Sequence, residues 1–165
     1  MSLTIVDHPF DRAEWIRELL DHIAERLRSG RADLLARVER ASDDAIVAGT
    51  DEDWGIGQIA AHLLVSERGM VTIALRLARG EEPGRTGQPR PSASASSREG
   101  IATLASKAEA TLARLRADFP AEPNVEARAD TPYLGPFNCF GWLLLAALHY
   151  DAHLAAIDRG NKSAL

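Results

Sequence analysis

A single cysteine, Cys139, stands in the whole chain. That excludes an internal disulfide framework and a cysteine-rich zinc module, and it suits a reducing compartment. Basic charge is not in excess either. Acids number 24 against 19 lysines and arginines, for a formal net charge of −5, and the arginines are scattered through helical stretches rather than gathered into a stripe. Nucleic acid finds no electrostatic footprint there. The opening MSLTIVDHPFD lacks the basic-then-apolar order of a signal peptide. The longest apolar run, Phe140 to Leu148, is interrupted by Gly141 and stops at His149, far short of the roughly 20 residues that span a bilayer. These absences point to a cytoplasmic protein with neither nucleic acid nor membrane as a partner. Strand alternation is nearly absent too.

What is present is helix period. With 165 residues, 45% of them hydrophobic, the chain can bury a real core as one domain, residues 1–165, without help from a disulfide or a metal. From Trp15, apolar residues at Ile16, Leu19, Leu20, Ile23, Leu27, Leu34, Leu35 and Val38 keep a three-and-four spacing. They predict one long first helix, or two nearly collinear ones, opened by Asp11 and Glu14 as a capping box. The pattern breaks between Ser42 and Asp53. A second helix is expected from the acids Asp51, Glu52 and Asp53, which favour the positive end of the helix dipole, to Gly80, with Ile56, Ile59, Leu63, Met70, Val71 and Leu75 inward.

The next stretch, GEEPGRTGQPRPSASASSREG, is rich in Gly, Pro and Ser and reads as a long mobile loop. Ser96 and Glu99 then have capping-box spacing, and Ile101, Leu104, Ala108, Leu112 and Leu115 predict a third helix ending before Pro120. The segment from Pro120 to Pro136 reads as irregular, and a fourth helix is expected from about Asn138 to Asp158. The fold class is therefore all-α: a four-helix bundle with a long first helix and a long loop between helices two and three.

Histidine is scarce, at five residues, yet LHYDAHLAAI places His149 and His153 four apart on the last helix. That spacing puts both rings on one face, one turn apart. Trp142 shares their stripe. A third histidine, His62, sits midway along the second helix in WGIGQIAAHLLVSERG, with Gln58 and Ser66 four positions to either side on the same face. Bundle metal sites are built from inward side chains on facing helices. Taken alone, an H-x3-H pair is better explained by two core histidines satisfied by neighbouring polar groups. Gln58, Ser66 and Trp142 are candidate pocket residues, although a solvent-facing position at the edge of the helix face would explain the first two and core packing the third. Cys139, near a helix N-terminus, reads as a small buried hydrophobe. Asp151 should point into solvent, and neither His8 nor His22 lies on a ligand face.

Trp54, His62, the long connection, Gly135-Pro136, Trp142, His149 and His153 followed by Ile157 together resemble the DinB-like (DinB/YfiT) superfamily of four-helix bundles. The resemblance implies one divalent metal on His62, His149 and His153. Where many relatives carry Gly and Gln before the last isoleucine, this chain has Ala155 and Ala156, which removes a polar neighbour of the site. Three imidazoles would leave an ion at least one open position, the arrangement of catalytic rather than structural sites. Zinc, nickel and iron(II) all accept imidazole. The resemblance further implies a metal-dependent transferase or isomerase of small molecules that uses a low-molecular-weight thiol, and pairing into a homodimer as in many relatives. A metal- or ligand-binding bundle without turnover, and a helical interaction protein with structural histidines, remain open beside it. No catalytic residue beyond the ligands is singled out.

Overall fold

Four long helices, a one-turn helix and a small hairpin make up the computed structural model, which describes residues 11–85 and 90–158. The first helix, α1 (Arg12–Arg40), is continuous through Gly30, and the Asp11 carboxylate caps it by accepting from the Ala13 and Glu14 amides. Within the expected break lies α2 (Asp43–Val47), capped by Ser42 and burying Ile46. The second long helix, α3 (Ile56–Ala78), starts later than the acids suggested. The reason is local: the Thr50 hydroxyl accepts from the Glu52 and Asp53 amides and holds the acids in a turn. Helix α4 (Arg98–Asp118) is capped by Ser97, not Ser96; Ser96 is buried and donates to the Ser92 carbonyl.

The segment expected to be irregular folds in part. Strands β1 (Ala129–Thr131) and β2 (Gly135–Phe137) pair antiparallel, with Ala129 opposite Phe137, before α5 (Cys139–Asp158) begins. By length and composition α5 could cross a membrane, but Cys139, Trp142, Leu143, Ala146, Tyr150 and Leu154 are all packed into the bundle core. Apolar residues nonetheless reach its outer side, where Leu144 and Leu148 are exposed.

Side-chain pairs fix the helix directions. Arg26 meets Asp151 and Arg37 meets Asp158, so α1 and α5 run parallel. Asp21 pairs with Arg116 and Arg28 with Glu109, so α1 and α4 run antiparallel. A Cβ on Gly57 would collide with the carbonyls of both Ile46 and Ser96, which places the start of α3 against the start of α4. At the other ends of these two helices Arg79 donates to the Asp118 carbonyl. Helices α3 and α4 are thus parallel, and α3 is antiparallel to α5. The long connection between α3 and α4 is therefore a crossover that returns the chain along a 23-residue helix, roughly 34 Å at 1.5 Å per residue. Its described end is anchored, with Arg90 paired to Asp51. At the start of α4, Arg98 reaches back to Asp43 and to the carbonyls of Val38 and Ala41, which satisfies the C-terminus of α1.

Candidate metal centre

Helix α3 carries His62 into the groove it forms with α5, and the i, i+4 spacing on α5 turns His149 and His153 toward the same point. The Nε2 of His149 lies 3.3 Å from Nε2 of His62 and 3.1 Å from Nε2 of His153. The His149 ring meets those of His62 and His153 edge to face and the His62 and His153 rings are tilted to each other, with centroids 4.6 to 5.3 Å apart. Two nitrogens each roughly 2.0–2.1 Å from a tetrahedral zinc stand about 3.3 Å apart, so the spacing is that of neighbouring ligands on one ion. Hydrogen bonding alone serves this cluster poorly. A neutral imidazole has one N–H and one lone pair, and the His149 Nε2 faces two other ring nitrogens at once, whereas an ion accepts lone pairs from all three.

Burial favours the neutral rings that ligation requires. Loss of solvent, followed by the neighbouring histidines, holds His149 down to about 3, and loss of solvent, with His62 nearby, holds His153 down to about 4. His62 and His153 are buried, while His149 is partly open. Among the described residues the metal-competent group consists of these three histidines. The Trp54 ring stands edge-on to His62 at 5.1 Å and walls one side of the cluster.

A profile of the DinB superfamily matches residues 26–157, a span that includes all three histidines. The chain belongs to the DinB superfamily. That superfamily includes metal-binding proteins. The crystal structure of TT2238, a four-helix bundle protein, is similar to this DinB-superfamily chain with a TM-score of 0.64 and 26% identity, covering 85% of this chain and 98% of that one. Among curated proteins none matches.

The other residues singled out in the sequence of this DinB-superfamily chain fall in different places. Gln58 turns its amide to the helix start: its Oε1 accepts from the Gly55 amide and its Nε2 donates to the Thr50 carbonyl. Ser66 is buried one turn beyond His62. Trp142 is buried and its indole N–H donates to the Ala129 carbonyl, which ties the hairpin to α5. Cys139 is wholly buried, and burial pushes its thiol up. Asp151 is exposed and salt-bridged to Arg26, and His22 faces solvent. His8 lies outside the described residues.

Sequence reasoning missed a buried polar network. Arg31 donates to Glu67 Oε1 at 2.9 Å and pairs with Glu109, Arg28 also pairs with Glu109, and the Tyr150 hydroxyl donates to Glu67 Oε2 at 2.6 Å. Arg31, Glu67 and Tyr150 are 6%, 1% and 1% exposed. Burial pushes the Glu67 carboxyl up, opposed by the Tyr150 hydroxyl and Arg31. The signal was available at Arg31, four residues after Leu27 and three before Leu34, on the apolar stripe of the first helix. An arginine there is buried and must be paired.

Proposed function

We propose that this protein holds one divalent ion, zinc, nickel or iron(II), on His62, His149 and His153 and works as a metal-dependent transferase or isomerase of small molecules that uses a low-molecular-weight thiol. The observation that carries this reading is the convergence of three Nε2 atoms, 3.1 and 3.3 Å apart at His149. Their burial supports it, because histidines kept neutral are ready to donate lone pairs. When bound, the ion supplies a Lewis acid that stabilises the anionic form of a thiol at neutral pH. His62 and His153 hold their rings in the core, and His149 is the partly exposed ring of the three, the side from which a small molecule would approach.

Among the described residues the metal-competent group is made of histidines without a carboxylate, which supports thiol transfer over hydrolysis assisted by a carboxylate ligand. The same fact favours, as a second reading, a bundle that binds a metal or small ligand without turnover. In either reading the partner is a small molecule rather than nucleic acid or membrane, and the protein is cytoplasmic. Pairing as a homodimer is supported by the exposed Leu144 and Leu148 on α5.

Elemental analysis of tag-free protein should give about one transition-metal ion per chain, with the ion lost in His149→Ala. Metal content unaffected by that substitution, or absent from wild type even after reconstitution, would overturn the reading. Small thiols added to cobalt-loaded protein should produce a sulfur-to-metal charge-transfer band and a metal-dependent thiol addition to an electrophile. A band without turnover over a broad electrophile panel would select the binding alternative.

A further inference from the structure

Two facing helices supply the three histidines, so their convergence depends on how far α5 is displaced along α3. Apolar packing is a weak guide to that displacement. The two histidines on α5 are themselves one turn apart, and the apolar contacts of Trp142, Leu143, Ala146, Ala147 and Leu154 in the core are non-directional. A slip of one turn, about 5.4 Å, would carry His153 onto the place of His149 and leave two nitrogens converging instead of three. A directional contact is needed to exclude it.

The buried network provides one. Tyr150, next to His149 in sequence, donates to Glu67, which lies five residues beyond His62 on α3. Arg31 of α1 fixes the other oxygen of that carboxylate. The Tyr150 side chain is also seated against Gly30 of α1, where a Cβ would come within 2.8 Å of the Tyr150 Cβ. One buried carboxylate thus receives a donor from each of the two helices flanking its own. Networks of this kind can contribute specificity of register at little gain in net stability.

We infer that Arg31, Glu67 and Tyr150 form a register lock that positions His62 opposite His149 and His153. Tyr150 and Glu67 are positioning residues, and the inference rests on the metal reading only for its spectroscopic consequence.

The test is Tyr150→Phe, which removes one hydroxyl and keeps the ring. Metal-free wild type should show nuclear Overhauser effects between the His62 and His149 rings, and Tyr150→Phe should lose or redistribute them. Cobalt should bind Tyr150→Phe about 10- to 100-fold more weakly, the range for partners that orient metal ligands, with shifted d–d bands. A core variant at the far end of α1 from Arg31, Ile16→Ala, should lower thermal stability yet leave the ring contacts and the cobalt bands as in wild type. Ring contacts and bands unchanged in Tyr150→Phe, or equally changed in Ile16→Ala, would overturn the lock. If wild type takes up no cobalt, the metal reading fails by itself and the ring contacts of the metal-free proteins decide the lock.

Discussion

Gly30 of α1 and Tyr150 of α5 are in such close approach that a methyl group on Gly30 would stand 2.8 Å from Cβ and 2.9 Å from Cγ of the tyrosine. Both atoms belong to the root of a side chain that is 1% exposed and cannot swing aside. Gly30→Ala should therefore destabilise the protein, although alanine is favoured over glycine in a helix interior by roughly 1 kcal/mol. Overpacking costs about 1–3 kcal/mol, and the strain falls on both ends of the contact. The check is the chemical-denaturation midpoint, with Gly69→Ala as the reference, since nothing lies within 4 Å of a Cβ there. A more stable Gly30→Ala would show that α5 moves aside freely.

The metal-free protein should lose stability as pH falls from neutral. Folded His149 and His153 bind protons only near about 3 and about 4, against an ordinary value of 6.5. Between those limits the unfolded chain carries protons that the folded chain does not, so unfolding becomes easier as pH drops through the window. Glu67 acts in the opposite sense, because its raised carboxyl keeps a proton that the unfolded chain has released just above 4.5. Two histidines outweigh one carboxyl over most of the range. Urea midpoints at about pH 7.5 and about pH 4.5 measure the difference, and His149→Leu should shrink it. Equal midpoints would mean that the rings are not held neutral by burial.

Trp54 should report on the site directly. Its ring centroid lies 5.1 Å from that of His62, whereas Trp15 is half exposed and Trp142 is bound to the hairpin. Cobalt or nickel added to the apoprotein should quench tryptophan fluorescence, and Trp54→Phe should remove the largest share of that quenching. Quenching that survives intact in Trp54→Phe would place the ion elsewhere.

Much of this architecture was legible because long helices repeat the same instruction many times. Ile16, Leu20, Leu27, Leu34 and Val38 on α1 all point inward as their spacing requires, and one misread residue could not change the outcome. His62, His149 and His153 were legible for a related reason: rare side chains on apolar faces stand out. The hairpin was not, since strands of three residues, one containing Pro136, are too short for alternation to show. The start of α3 was missed because Thr50, a single hydroxyl, outcompetes the dipole preference of three acids. The network was missed because Glu67 and Tyr150 become partners only across 83 residues of chain.

The parallel course of α3 and α4, with the crossover it demands, sets the order of events when the chain folds. His62 and His149 are 87 residues apart in sequence, and Arg26 and Asp151 are 125 apart, so apart from the adjoining hairpin the partners of α5 are distant along the chain. Contacts of such separation form late, after the loop-closure entropy has been met. On that account the histidine cluster should be complete only after the folding barrier has been crossed. An ion that binds it should leave the folding rate nearly unchanged and slow unfolding instead. The ion would act as a latch on a finished bundle, setting its lifetime rather than its assembly.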